Sequence, residues 1–417
     1  MSKEKRKKTR RDPARAMIAA VMVFFLLAFF QLAVKDGSWE CFVLSVVVPA
    51  IIYVGSVGIP RLFPADKLLL SLTNFLCALG VLVLYRLSPE RGMTQAVNYG
   101  VGVAAMIACT LLVRYMPSWR WMTVLMMLGG AGMLALPLVM GEVRNGAKGW
   151  LTIAGRSMQP SELVKLALIL SVSYLLSRRK VVLSVAFAAG CLGLLMLQKD
   201  LGTALLYYGV TLVLVYAATG SLPLIGVGLA GGAGAAVIGY RMFAHVKKRV
   251  KIWLNPWADT GGDGYQIVQS LIAMVNGGAW GVGLGLGNAS VIPEYYNDFI
   301  FSVILHEFGL IFGLIVLFMY LFIVIRGVMI ARRSRTVFHA LLAIGCTALI
   351  ALQAFVIIGG NIKLIPLTGV TLPFISYGGT SMVSSLGIIG LLQGVASRNA
   401  AGVDDDRRLA MLGGGAA

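Results

Sequence analysis

Residues 16–34, AMIAAVMVFFLLAFFQLAV, form an apolar stretch that contains no charged side chain. At 1.5 Å per residue, a helix of this length crosses a hydrocarbon core of about 30 Å. In lipid, such a stretch must satisfy its own backbone hydrogen bonds, so it predicts a transmembrane α-helix. A secretory signal peptide is the competing interpretation, but the stretch is longer than a typical signal core and no small-residue cleavage site follows it.

Eleven further apolar stretches of comparable length follow along the chain. They cover residues 41–58, 67–87, 96–113, 121–140, 160–176, 181–197, 201–219, 222–243, 299–325, 338–358 and 380–396. Hydrophobic residues make up 58% of the 417 positions and charged residues only 13%, which cannot build an ordinary soluble surface. The stretches are apolar on all sides, whereas the strands of a membrane barrel alternate apolar and polar residues. We therefore predict an all-α fold, a polytopic bundle of about twelve transmembrane helices.

The basic residues set the predicted orientation of these spans. A basic segment, residues 1–15, precedes the first span and is expected to stay in the cytoplasm. Twelve spans return the C-terminal tail, residues 399–417, to the same side, where its polar composition predicts a short disordered end. The loops expected inside carry Arg61, Lys67, Arg114, Arg120, Arg178, Arg179, Lys180, Arg326, Arg332, Arg333 and Arg335. The protein is thus predicted to be a multi-pass membrane protein with both termini in the cytoplasm.

The formal charge of +19 could indicate a nucleic-acid binder, but the basic residues lie mainly in short loops between apolar stretches. Anionic membrane lipids explain them better, and no nucleic-acid partner is expected. The five cysteines all fall within apolar stretches without the spacing of metal ligands, which indicates a packing role.

The side predicted to face outward contains two features that depart from the usual pattern, a long loop and a set of basic residues. A loop of residues 244–298 separates the ninth and tenth spans and is too long for a simple connection. Its half-apolar segment, residues 266–275, predicts a short helix that lies on the outer face or dips into it. Basic residues that oppose the usual charge bias are also expected on this side, which suggests an anionic ligand there. They are Arg144, Lys148, Arg156, Lys199, Lys247, Lys248, Arg249, Lys251 and Lys363.

Six short strings carry a resemblance to a known family. They are NGAKGW at 145–150, QPSELVK at 159–165, DLGTA at 200–204, YQIVQSLIA at 265–273, PEYYNDFIF at 293–301 and LPFISYGGTS at 372–381. In order and spacing, from about residue 67 to residue 398, they resemble the SEDS family (shape, elongation, division and sporulation). Members of that family usually have ten spans, so residues 16–58 read as two additional N-terminal helices before a core at 67–398.

The resemblance implies a peptidoglycan glycosyltransferase. Such an enzyme polymerises lipid II, the lipid-linked disaccharide-pentapeptide, at the outer face of the bacterial cytoplasmic membrane, in elongation, division or sporulation. It also implies a partner transpeptidase, a class B penicillin-binding protein, and no cofactor. The family's usual His-Thr-Asp is Tyr296, Asn297 and Asp298 in this chain, so the Asp is retained.

Asp298 is the predicted catalytic residue. Transfer of a sugar from a lipid pyrophosphate needs a base for the attacking hydroxyl and cations for the departing charge. Asp298 precedes an apolar span, where a low local dielectric would raise its pKa, and it matches the family's proposed catalytic Asp. The alternative role is to cap the helix that follows, and one residue can do both.

Lys148, Arg249 and Arg144 are the candidates for binding the pyrophosphate, because cations on the outer side are costly to keep without an anionic ligand. Lys148 lies within a matched string. Contact with lipid headgroups or surface ion pairing is the alternative for each of them.

Further residues of the matched strings are predicted to contribute to substrate binding. They are Glu162, Lys165, Asp200, Gln269, Glu294 and Asn297. Glu162 and Lys165 lie three residues apart on one helix, so they can also simply pair with each other. Glu294 and Glu307 flank Asp298 in the sequence and could tune its pKa or hold a divalent cation, although their spacing is not that of a metal site.

Two other functions remain open from the residues alone. Many spans with intramembrane charges also fit a transporter that moves lipid-linked precursors, although no internal duplication is visible and the charged motifs cluster on the outer side. A non-catalytic scaffold for cell-wall enzymes is the third possibility.

Cysteines introduced on the two sides of the membrane test the predicted orientation. A cysteine at Gly262 should react with an impermeant thiol reagent in intact cells, whereas one at Arg333 should react only after the membrane is opened. The reverse labelling pattern would reject the orientation and every outer-side assignment with it.

Overall fold

A computed structural model describes residues 13–144, 146–153, 155–288 and 291–413, with side chains except at positions 13, 14, 144, 153, 156 and 403–413. The predicted fold class is confirmed, because within these ranges eleven helices are long and apolar enough to cross a membrane and Val181–Leu197 is a shorter apolar helix. The helices are α1 (Pro13–Asp36), α2 (Trp39–Tyr53), α3 (Ile59–Leu62), α4 (Lys67–Leu87), α5 (Pro89–Tyr115), α6 (Arg120–Met140), α7 (Pro160–Ser177), α8 (Val181–Leu197), α9 (Leu201–Thr219), α10 (Leu222–Met242), α11 (Ala244–Leu254), α12 (Tyr265–Gly277), α13 (Ile300–Arg332), α14 (Val337–Asn361) and α15 (Gly379–Gly413). A π-helical turn, Val54–Gly58, joins α2 to α3, so that Trp39–Leu62 forms one continuous span.

Helix α4 lies at the centre of the bundle, with nearly all of its residues buried, whereas α10 is almost entirely exposed at the periphery. The exposed side chains of α10 include Leu222, Val227 and Leu229, as expected for a surface whose solvent is lipid. Small residues let central helices approach closely. In α15, a Cβ atom added at Gly390 would lie 2.3 Å from the Met106 carbonyl oxygen of α5.

The two additional helices, α1 and α2, pack against each other and against α4. Phe25 lies with its ring centroid 5.2 Å from that of Phe75 of α4. The Ser38 and Tyr85 hydroxyl groups are 2.7 Å apart, and Lys35 donates to the Gly285 carbonyl at 2.8 Å. The pair is therefore connected both to the bundle and to the outer loop.

A small antiparallel sheet connects α6 to α7, which is an addition to the predicted helical fold. Its strands are β1 (Glu142–Arg144), β2 (Ala147–Ile153) and β3 (Arg156–Met158), in the order β1-β2-β3. Arg144 pairs with Ala147, and Gly146, which lies between them in the sequence, has a φ of +84°. Asn-Gly is the strongest sequence signal for a two-residue hairpin.

Helix α13 is interrupted at Gly309, where φ is +83°, a value that glycine adopts without strain. The loop after α12 fills the interruption with backbone hydrogen bonds. Val282 and Gly283 donate to the carbonyls of His306 and Glu307, and Leu310 and Ile311 donate to those of Gly278 and Ala279. The sequence predicted one continuous span at 299–325; the structure has a short segment before the break and a full-length span, residues 310–332, after it.

Of two predictions for short segments, the one for the loop at 244–298 is confirmed and the one for the end of the chain is partly wrong. The helix predicted within 266–275 is confirmed as α12, Tyr265–Gly277. The disordered tail predicted at 399–417 is wrong for its first part, because α15 continues through Gly413. Alanine, leucine and arginine in that segment are strong helix formers, and a helix already formed extends at little cost. The basic residues 1–12 lie outside the described part of the chain.

Candidate active site

A cavity of about 590 Å³ lies where α11, α12 and the segment before α13 meet. Asp298 and Glu294 line it together with Arg249, so three residues singled out by the sequence share one site. Gly146, at the tip of the β1–β2 turn, also reaches the cavity wall. The strings around residues 145, 265 and 298 are therefore brought together in space.

A chain of polar contacts from α12, α13 and α14 positions the backbone of Asp298. Its backbone carbonyl accepts a hydrogen bond of 2.5 Å from the Asn361 side chain at the end of α14. The Asn361 amide oxygen accepts from the Ser302 hydroxyl at 3.0 Å, and Ser302 lies 2.7 Å from the Ser270 hydroxyl of α12. Three helices thus fix the backbone that carries the carboxylate: the two contacts of Ser302 are buried, and the contact from Asn361 to the Asp298 carbonyl is partly buried.

The segment before Asp298 is held by the string at 372–381. Ser376 donates to the Asn297 carbonyl at 2.8 Å, and Tyr377 donates through its backbone to the Tyr296 carbonyl at 3.0 Å. The Arg91 guanidinium lies 3.6 Å from the centre of the Tyr296 ring, a cation–π contact. The Asn297 carbonyl is thus bonded to Ser376, and the Asn297 side-chain amide donates to the Glu294 carboxylate at 3.5 Å.

The electrostatics of the cavity favour a proton acceptor. Burial raises the pKa of Asp298 to about 6, with a further upward contribution from the negative charge of Glu294, while Arg249 opposes the shift. Burial and the positive charges of Arg249 and Lys199 lower the pKa of His245, which also lines the cavity. At neutral pH, Asp298 is therefore ionised but still basic enough to take a proton.

Arg249 of α11 lies across the loop that follows α14. Its guanidinium donates to the Thr368 carbonyl at 2.6 Å. Gly369 has a φ of +75°, and a Cβ atom built on it would lie 3.2 Å from Arg249 Nη2 and 3.7 Å from Asp298 Oδ2. Because Gly369 has no side chain, the space beside it is open to both the Arg249 guanidinium and the Asp298 carboxylate.

The structure does not bring Lys148 to this cavity. Lys148 Nζ donates to the Leu138 carbonyl at 2.8 Å, so the lysine occupies one of the free carbonyls at the C-terminal end of α6. Asp200 caps α9 by accepting from the Thr203 backbone at 3.1 Å and also accepts from Gln159 at 3.0 Å. Both residues hold the base of the hairpin whose tip lines the cavity. The side chain of Arg144 lies outside the described residues, and Gln269 of α12 does not line the cavity.

Glu162 and Lys165 lie in the bundle interior, away from the cavity. Lys165 Nζ donates to Glu162 at 2.7 Å and to Gln353 of α14 at 3.3 Å, while Ser384 of α15 donates to the other Glu162 oxygen at 2.9 Å. Gln353 donates in turn to the Thr371 carbonyl at 2.8 Å. This buried network joins α7, α14 and α15 to the loop beneath Asp298.

Glu307 is also separate from the cavity. One of its oxygens lies 3.4 Å from Arg86, and the other accepts from the Gly285 backbone at 3.2 Å. His306 is bonded to the Ala273 carbonyl at 2.9 Å, a packed position between α13 and α12. Across the described ranges, no cluster of three or more His, Cys, Asp or Glu residues could hold a metal ion.

Sequence reasoning missed several residues of the cavity. These are His245, Asp263 and Gln266. Lys248, one of the basic residues expected on the outer side, lines the cavity as well and pairs with Asp263 at 2.5 Å. Gln266 lies in the same string, YQIVQSLIA, as Gln269, which the sequence predicts to bind substrate.

Comparison with known proteins gives consistent matches. The model of the cell cycle protein family FtsW, RodA and SpoVE matches residues 66–401. The chain is 32% identical over 413 residues to the peptidoglycan glycosyltransferase RodA of Mycobacterium bovis, covering 90% of this chain and 87% of that protein. It is 33% identical over 359 residues to the stage V sporulation protein E of Bacillus subtilis, covering 79% and 96%.

Solved structures agree in fold. One chain comes from a peptidoglycan synthase complex studied for the coordination of polymerization and crosslinking; it matches with a TM-score of 0.67 and 26% identity, covering 81% of this chain and 98% of that one. The rod shape determining protein RodA of Thermus thermophilus matches with a TM-score of 0.59 and 25% identity, with the same two coverages.

A double-mutant cycle tests whether the Glu162–Lys165 pair is structural. Lys165→Met alone leaves a buried carboxylate without its cation and should lower the stability of the folded protein by about 3 kcal/mol or more. Glu162→Gln with Lys165→Met removes both charges and should recover most of that loss. Thermal unfolding in detergent measures both, with Lys180→Met on the exposed α7–α8 turn as the control. If the double variant were as unstable as the single one, the pair would not be the reason for the loss.

Proposed function

The chain belongs to the FtsW, RodA and SpoVE family of cell cycle proteins, and from this we propose that it is a peptidoglycan glycosyltransferase that polymerises lipid II at the outer face of the bacterial cytoplasmic membrane. The observation that carries the proposal is the placement of Asp298, whose pKa burial raises to about 6, and of Arg249 beside Gly369 in one cavity. Relatives with peptidoglycan glycosyltransferase in their names support the reaction class.

Asp298 acts as the general base. The 4-hydroxyl of one sugar attacks the anomeric carbon of the other while Asp298 takes the hydroxyl proton, so a glycosidic C–O bond forms. The bond from the anomeric carbon to the lipid pyrophosphate breaks, and the pyrophosphate leaves with the electron pair. Because pyrophosphate is already a good leaving group, the site needs no separate acid on that side.

Arg249 stabilises the charge that develops on the departing pyrophosphate. Its guanidinium donates a hydrogen bond to the Thr368 carbonyl. The guanidinium is therefore already oriented before the reaction begins, and no ordering of this side chain is needed in the transition state. A planar guanidinium also suits paired phosphate oxygens. Lys248, His245 and Gln266 are placed around the same cavity and would contact the sugars or the second phosphate.

The orientation and the partner are part of the same proposal. Asp298 faces the outer side when both termini are cytoplasmic, which is where lipid II presents its sugars. A class B penicillin-binding protein would supply the cross-linking reaction, since the solved relative comes from a complex that couples polymerization and crosslinking. Whether that partner acts in elongation, division or sporulation is tested by localising the protein to the side wall or to midcell.

Asp298→Asn should abolish polymerisation while leaving the fold intact. Loss of a general base reduces the rate by a factor on the order of 100 to 10,000. The assay gives purified protein labelled lipid II, with and without the cognate transpeptidase, and measures glycan strands. Asp259→Asn is the matched control, because Asp259 is an exposed carboxylate of the same loop that does not line the cavity. A wild-type protein that moved lipid II across a vesicle bilayer and never polymerised it would instead identify a transporter.

The pH dependence of polymerisation should follow the charges around Asp298. A base must be deprotonated, so the rate of the wild-type protein should fall as the pH drops through about 6. Arg249→Gln removes the charge that lowers the pKa of Asp298, so the acidic limb should move to higher pH. Glu294→Gln removes a charge that raises this pKa, so the limb should move to lower pH. The position of the limb is independent of the maximal rate, and shifts in the same direction for both variants would exclude Asp298 as the titrating base.

A further inference from the structure

A second cavity, of about 440 Å³, lies at the opposite end of the bundle from Asp298. His339 at the start of α14 lines this cavity, whereas Asn361 at the end of the same helix bonds to Asp298. At 1.5 Å per residue the two ends of α14 are separated by roughly 33 Å, about the thickness of a hydrocarbon core. The second cavity is therefore at the other membrane surface and is independent of the proposed active site.

Positive charge surrounds this cavity. Its described lining residues include Arg114, Arg335, Arg398 and His339, and none of those described is acidic. Neutral groups hold two of the arginines: Arg114 donates to the Ser397 hydroxyl at 3.0 Å, and Arg398 donates to the Val113 carbonyl at 3.2 Å. Because hydroxyl and carbonyl groups orient a guanidinium without neutralising it, the charges of Arg114 and Arg398 are available to a ligand.

His339 supplies an independent indication of a ligand. Its relative exposure is only 9%, and its Nε2 is buried without a hydrogen-bond partner. Thr336 caps α14 by accepting from the His339 backbone at 3.3 Å, and its hydroxyl lies 2.6 Å from His339 Nδ1. When the Thr336 hydroxyl donates to Nδ1, the ring proton is on Nε2, ready to donate to a ligand oxygen. A buried donor without a partner is costly, so an acceptor at this wall is favoured.

We propose that this cavity binds the phosphate group of an anionic phospholipid from the adjacent leaflet. The N-terminus of α14 adds the partial positive charge of a helix end to the arginines. Tyr115 lines the cavity and is exposed, and Trp121 is exposed at the start of the neighbouring α6. Exposed tyrosine and tryptophan at span ends mark the membrane–water interface, where headgroup phosphates lie and where basic clefts between helices bind them.

Lipid binding by the full-length protein in detergent tests the proposal. Native mass spectrometry is used to titrate the protein with phosphatidylglycerol, phosphatidylcholine or inorganic phosphate. Wild type should bind one phosphatidylglycerol in preference to phosphatidylcholine. Arg114→Gln with Arg398→Gln should weaken that binding by a factor on the order of ten or more, since each basic residue near a headgroup contributes substantially to the attraction. Arg178→Gln with Arg179→Gln, two exposed arginines at the α7–α8 turn on the same face, is the matched control and should bind as wild type does.

Two further variants keep the test decisive. Ala401→Glu places a carboxylate on the cavity wall without removing the arginine that holds the end of α5, so it should lose the lipid even if the arginine variants unfold. Asn replacement of Asp404, Asp405 and Asp406, which follow on α15, should bind phosphatidylglycerol at least as tightly as wild type.

The contrary outcomes are equally defined. Equal binding of the two lipids, or equal loss in the Arg114/Arg398 and Arg178/Arg179 variants, would overturn the proposal. Loss of lipid from the Asp404–Asp406 variant would do so as well. Inorganic phosphate binding as tightly as phosphatidylglycerol would overturn the assignment to a lipid and make free phosphate the ligand.

Discussion

Four backbone hydrogen bonds between the interrupted α13 and the loop after α12 are the contacts on which the half of this protein that contains Asp298 depends. A helix that breaks within a bundle exposes amide and carbonyl groups that lipid cannot satisfy. The loop at 277–283 supplies the missing partners, and Gly277, Gly281 and Gly309 make the approach possible because a Cβ atom at any of them would lie within 2.4 Å of backbone atoms. Break and loop therefore depend on each other.

This arrangement determines the position of Asp298. The short segment of α13 before Gly309 is free to follow its own direction, and it begins directly after Asp298. Its Ser302 joins the polar chain that ends on Asn361 and fixes the Asp298 backbone. Farther down, the buried Glu162–Lys165 network is connected through Gln353 to the loop that carries Gly369. Contacts from the packed helices thus fix the backbone of Asp298, whereas α11, which carries Arg249, has no buried residue and lies at the exposed edge of the bundle.

Much of this architecture could be predicted from the sequence, and what could not has identifiable causes. All twelve apolar stretches were found because burial in lipid imposes one strong constraint, a long run of apolar side chains. Arg249 was found because it is a basic residue on the side where basic residues are unusual, and Asp298 and Glu294 because they lie in a string that carries the family resemblance. Lys148 was predicted to bind the substrate, but its Nζ donates to the Leu138 carbonyl at the end of α6, 2.8 Å away. This contact joins two segments of the chain, and no local sequence pattern encodes it. The break at Gly309 was equally hidden, since one glycine in an apolar stretch is ordinary in membrane helices.

Helices α1 and α2 precede the part of the chain that matches the family, which begins at residue 66. They cover one flank of α4 through Phe25 and Ser38 and touch the outer loop through Lys35. A relative consisting of the family core alone would present that flank of α4 to lipid or to a neighbouring protein. In this chain α1 and α2 already cover that flank, so a partner of the kind proposed above would have to approach another side of the bundle or contact the added helices themselves.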